Sequence, residues 1–168
     1  MNVRFIDTSV MVNLLEVPGM CNAASQIKKQ MKELVEQKEV LILPAATIIE
    51  TGNHIAHIPD GHKRRNIAIK FGEYLRKTAD GQAPWQFYGV ELDKEGLLYL
   101  AEHIEENAIQ QVGIGDMSIV YAYQQYKEKT PAIGRIMIWS LDTHLQGYQE
   151  ENVSVVRRRR NQEHAKLK

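Results

Sequence analysis

Residues 2–15 read NVRFIDTSVMVNLL, and the change of character at Asp7 decides how the chain is laid out. The apolar run NVRFI fits a short strand. Val10, Val12, Leu14 and Leu15 then suit a helix, and Asp7, Thr8 or Ser9 can cap its first turn. The VPG at 17–19 breaks that helix. A strand that ends on an acid and passes straight into a helix is the opening unit of an α/β fold.

The same event recurs down the chain. VLIL at 40–43 reads as a buried strand, and Pro44 suits the first turn of a helix carrying Ile48, Ile49, Glu50 and His54. Asp116 follows QQVGIG at the start of a helical stretch over 116–129, and Asp142 follows the apolar run IMIWSL. Other helices fit 22–38, 63–78, 97–109 and 143–149, and RIMIW and NVSVV read as strands. Residues 79–96 form a Gly- and Pro-containing excursion with room for one short strand around WQFYGV. Alternating strands and helices predict an α/β chain with a mainly parallel sheet covered on both faces. Residues 1–156 form one domain and 157–168 a basic tail on this reading.

Composition narrows the function classes. A chain of 168 residues, 43% hydrophobic and 25% charged, has the make-up of an ordinary globular domain. A lone cysteine, Cys21, excludes an internal disulfide framework and a thiolate-rich metal site. No apolar run is long enough for a secretory leader or a bilayer span, so a cytoplasmic protein with no membrane partner is expected. Twenty-one Lys and Arg balance twenty-one Asp and Glu. The basic residues nevertheless cluster, at Lys63, Arg64 and Arg65 and at Arg157, Arg158, Arg159 and Arg160. Either cluster can hold phosphates, or simply be a solvated face.

The acids carry the chemistry. Parallel strands deliver their ends to one edge of a sheet, so Asp7, Glu50, Asp116 and Asp142 can converge there. Converging carboxylates repel one another unless a cation neutralises them, which makes a Mg2+ or Mn2+ site the first expectation. Each acid also has a plain structural explanation: Asp7, Asp116 and Asp142 can be helix caps. Glu50, within an apolar helix, needs a partner, and Asn53 and His54 lie on its face. His54, His57 and His62 lack the spacing of an HExxH zinc site, and there is no GxxxxGK[ST] phosphate loop or dinucleotide fingerprint. Four acids at equivalent topological places favour metal-assisted phosphodiester hydrolysis.

The motifs resemble those of PIN-domain nucleases, in particular the VapC-type toxins of bacterial VapBC toxin–antitoxin pairs. FIDTSVMVNLL is similar to the family's first strand and acid, PAATIIETGN to its second-acid helix, GIGDMSIVYAY to the third and IWSLDTHLQGY to its hydroxyl-x-Asp element. The resemblance implies a three-layer α/β/α fold and a Mg2+- or Mn2+-dependent endoribonuclease. It implies Asp7, Glu50, Asp116 and Asp142 as the acidic set, with Thr8 and Ser140 as orienting hydroxyls. RNA would be the substrate, and a homodimer and an antitoxin protein the partners. Hydrolysis would leave 5′-phosphate and 3′-hydroxyl ends. The competing readings are a structure-selective DNA nuclease and a non-catalytic PIN-like binding module. A haloacid-dehalogenase-type phosphatase fits less well, because FIDTS lacks the second aspartate of a D-x-D start.

Overall fold

The computed structural model describes residues 1–151. Five strands form one sheet: β1 (Asn2–Ile6), β2 (Val40–Pro44), β3 (Gln86–Tyr88), β4 (Arg135–Trp139) and β5 (Gln149–Glu151). Their order is β3-β2-β1-β4-β5. The first four are mutually parallel, and β5 runs antiparallel to β4. The expected strand at 152–156 and the whole basic tail at 157–168 lie outside the described residues.

The strand order places a topological switch at the centre. From β1 the chain moves outward to β2 and then β3, and it returns to lay β4 on the other side of β1. In such sheets the crevice beyond the C-terminal ends of the strands flanking the switch is where ligands bind. Here those strands are β1 and β4, aligned with Ile6 opposite Trp139. Asp7 begins where β1 stops, and its N–H still donates to the Trp139 carbonyl at 3.1 Å.

Seven α-helices are found among the described residues: α1 (Thr8–Leu15), α2 (Ala24–Glu36), α3 (Ala45–Ala56), α4 (Gly61–Ala79), α5 (Lys94–Ile109), α6 (Ile114–Lys129) and α7 (Thr143–Gln146). A 3-10 turn at Val90–Leu92 links β3 to α5. Pleating divides the strand residues between two cores. Ile6, Leu41, Leu43 and Trp139 join Val10, Met11, Leu14, Ile27 and Phe71 on one side. Val3, Phe5, Ile42, Ile136 and Ile138 join Ile119, Ala122 and Tyr123 on the other. Helices thus cover both faces, as the runs VLIL and RIMIW require of a buried parallel sheet.

Local contacts set the helix ends, of which the first agrees with expectation and the fifth and last differ from it. The first helix stops at Leu15, ahead of the VPG, because Glu16 adopts the left-handed conformation and its N–H turns back to the Asn13 and Val12 carbonyls. The fifth starts at Lys94 rather than 97, because Asp93 accepts from the Gly96 N–H at 2.9 Å and caps it. The last is one turn only, closed before Gly147. Gly96 is needed where α5 meets the 3-10 turn, since a Cβ there would press on the Glu91 and Val90 carbonyls.

The third helix begins without a cap of its own. Pro44 precedes it and has no side-chain acceptor. The fully buried Glu91 takes that place: its Oε1 accepts from the N–H of Ala46, 45 residues earlier, at 3.1 Å. Thr47 then fixes the helix to β1 by donating to the Ile6 carbonyl at 2.7 Å. These two contacts set the register of the helix that carries Glu50.

Candidate active site

Asp7 is both a helix cap and the most constrained acid in the cleft. It is buried, and its Oδ2 accepts from the Ser9 N–H at 3.1 Å, the Ser9 hydroxyl at 2.6 Å and the Ser140 hydroxyl at 2.8 Å. The two hydroxyls lie 3.3 Å apart. With both protons directed at Asp7, their oxygens act as acceptors: Ser9 from the Leu141 N–H and Ser140 from the Asp142 N–H, each at 2.9 Å. The loop after β4 is thereby tied to the loop after β1. One carboxylate oxygen is consumed by structure, and these hydrogen bonds leave Oδ1 for a ligand.

Glu50 reaches the same edge from α3. Its Oε2 accepts from the Thr8 hydroxyl at 2.7 Å, which is the partner a charged group on an apolar helix requires. Asn53 and His54, one turn further along, line the cleft beside it. Asp116 stands in the first turn of α6, where the exposed N–H groups favour an anion. It is not the cap of that helix, a place held by Gly113. Asp142 caps α7 by accepting from the His144 N–H at 2.9 Å, and is exposed.

Asp7, Thr8, Glu50, Asp116 and Asp142, with Ser9, Met20, Asn53 and His54, line one cleft of about 370 Å³. Ser140 sits directly behind Asp7. All six expected residues therefore gather at the switch point. Burial, reinforced by the charges of Asp7, Glu50 and Asp142, pushes the Asp116 carboxyl from 3.8 up to about 6, with His144 opposing. Negative neighbours outweigh His144 around this carboxyl, a balance that a bound proton or cation offsets.

The donors suit a hard divalent cation: carboxylates and hydroxyls, with no thiolate and only His54 as a ring-nitrogen donor at the rim. Among the described residues, no three His, Cys, Asp or Glu side chains are drawn into a ligand cluster.

The basic residues do not join this assembly. Lys63, Arg64 and Arg65 are exposed on the first turn of α4, outside the cleft lining. Arg64 also serves the fold itself, since its Nη1 donates to the Ile58 carbonyl at 2.7 Å and closes the turn between α3 and α4. Arg157, Arg158, Arg159 and Arg160 lie outside the described residues. Ser9 is the site residue that sequence reasoning did not single out beyond a possible cap. Its importance comes from the approach of Leu141, which nothing in the local sequence announces.

No protein-family model matches the chain, and no curated protein matches it.

Proposed function

We propose that the protein is a metal-dependent endoribonuclease of the PIN type. The observation that carries this reading is the gathering of four carboxylates from four separate segments at the sheet's switch point, where one of them, Asp116, is pushed up to about 6. A helix cap accounts for Asp7 or Asp142 singly. It does not account for Glu50 and Asp116 facing them across one cleft.

Asp7 through its unused oxygen, Glu50 and Asp116 would hold Mg2+ or Mn2+, with Asp142 completing the set. When bound, such an ion lowers the pKa of a water and offsets charge on the phosphoryl oxygens. The chain's own residues do the positioning. Ser9 and Ser140 fix the rotation of Asp7 by claiming its second oxygen. Thr8 holds Glu50 in the same manner. The first turn of α6, which no side chain caps, carries Asp116 to the cleft and would offer N–H groups to phosphate oxygens. The exposed Lys63 and Arg65 are candidates for more distant phosphates along the RNA.

VapC-type toxins supply the expectation of a homodimer and an antitoxin partner. Leu97, Leu98, Ile104 and Ile109 of α5 are exposed and support a partner surface of some kind. No helix among the described residues is long and apolar enough to cross a membrane.

The test is cleavage of a matched panel of labelled RNA and DNA with Mg2+ or Mn2+, against chelated controls and the Asp116→Asn variant. Metal-dependent RNA products that disappear in the variant support the reading. Products from DNA alone would favour the structure-selective DNA nuclease. Binding of RNA without metal-dependent products would favour the binding module.

A further inference from the structure

A second groove, of about 170 Å³, shares Asp116 with the acidic cleft. Its walls come from α5, the turn that follows it, α6 and the segment after β4. Tyr99, Asn107, Gln110, His144 and Tyr148 supply its ring and amide groups. None of its lining residues is Lys or Arg, and Asp116 is its only acid. The groove therefore does not suit a phosphate or an acidic peptide. It suits a neutral, planar, polar-edged group.

The rings are held before any ligand arrives. Tyr99 stacks on His103 with centroids 4.1 Å apart and an interplanar angle of 25°, and lies 4.7 Å from Tyr121. Tyr148 is 37% exposed and packs edge-on against Tyr123 at 6.1 Å. Asn107 is fixed by donating its Nδ2 to the His103 carbonyl at 2.8 Å, so its amide oxygen remains an acceptor. Tyr99 is thus engaged by two neighbouring rings, and the partly open Tyr148 ring beside the Asn107 amide offers the stacking face and edge hydrogen bonds by which proteins hold unstacked bases.

We propose that this groove is a nucleobase subsite, taking one unstacked base of a single-stranded nucleic acid adjacent to the phosphodiester at the acids. The proposal rests on the nuclease reading, because the shared Asp116 is what brings a neighbouring base within reach. Paired, stacked bases of a duplex cannot enter, so the subsite selects single strands next to the cleaved bond.

Binding of short fluorescein-labelled single-stranded RNAs, followed by anisotropy with Mg2+ present, tests it. The protein carries Glu50→Gln, which stops turnover on the reading above and leaves the groove lining intact. The RNAs are intact or carry one abasic nucleotide at successive positions. An abasic nucleotide at a single position should weaken binding by about fivefold or more. Tyr148→Leu, which keeps apolar packing against Tyr123, should weaken intact RNA similarly and add little against that abasic RNA. Tyr148→Phe should restore binding. If wild-type protein cleaves RNA while abasic nucleotides and Tyr148→Leu all change affinity by less than about twofold, the subsite is refuted and the nuclease reading survives. If no RNA or DNA is bound or cleaved, both fall.

Discussion

The Glu50 carboxylate occupies the space that a Cβ on Gly115 would need. Gly115 therefore does more than permit a turn in GIGD: it lets Glu50 reach across from α3 to the acid edge beside Asp116 in the first turn of α6. Gly115→Ala is tolerable for the fold, because alanine favours a helix by about 1 kcal/mol over glycine and a carboxylate tip can swing aside. The expected result is a melting temperature that is unchanged or raised, together with cleavage reduced by about tenfold or more, as for a misplaced catalytic group. Calorimetry and initial rates on the same preparation check the two halves.

Asp116 makes the metal-free protein sensitive to pH. Its folded carboxyl titrates near 6 instead of 3.8, so the folded state holds the proton more tightly than the unfolded chain. Its contribution is fully present below 3.8 and declines as pH rises through about 6. Solvent reaching the cleft screens the effect to about 1–2 kcal/mol. Asp116→Asn should therefore stabilise the chelated protein by about that amount near neutral pH and change little in acid. Urea denaturation across a pH series measures it. The same proton competes with a cation, so metal affinity of the wild type should climb as pH passes about 6.

The clamp on Asp7 predicts a coupled pair of hydroxyls. Ser140→Ala and Ser9→Ala each remove a hydrogen bond to a buried charge and should each cost about 1.5–3 kcal/mol. Both act on one oxygen, so the double variant should depart from additivity. Denaturant titration of the two single variants and the double variant gives the coupling. Sums that add fully would mean the two hydroxyls act independently.

Glu91 is the cap of a helix that starts elsewhere, and it too carries a pH signature. Burial raises its carboxyl above the ordinary 4.5, against its hydrogen bonds from the Ala45 and Ala46 N–H groups. Its ionisation then works against the fold: the contribution is intact below 4.5 and declines as pH climbs above it. Glu91→Ala should cost about 1–3 kcal/mol by leaving the Ala46 N–H unpaired. Glu91→Gln keeps an acceptor there, and its stability should lack this decline with pH. Thermal melts at stepped pH distinguish the two.

Much of the layout was legible because the chain marks its strand ends. NVRFI, VLIL and RIMIW are apolar runs, the first two followed at once by a capping residue or by proline, and the sheet places all three side by side. Asp7, Glu50, Asp116 and Asp142 were visible for a related reason, each standing where an apolar segment ends or turns. Ser9 and Glu91 were not. Ser9 gains its role from a loop that arrives 132 residues later. Glu91 lies in an excursion without periodicity, and the signal that could have found it was indirect. A helix opened by Pro44 lacks a capping side chain, so its N–H groups must be met from elsewhere. Arg64 shows the converse, since a conspicuous basic cluster gave no hint that one of its members closes a turn.

Titration of Mn2+ into the chelator-stripped protein, followed by calorimetry for the wild type and for Asp116→Asn, is the most direct test of the acidic cleft as a metal centre. Saturable binding by the wild type that is lost or greatly weakened in a folded Asp116→Asn protein is the predicted result. Equal binding by both proteins, or none by either, would contradict the account.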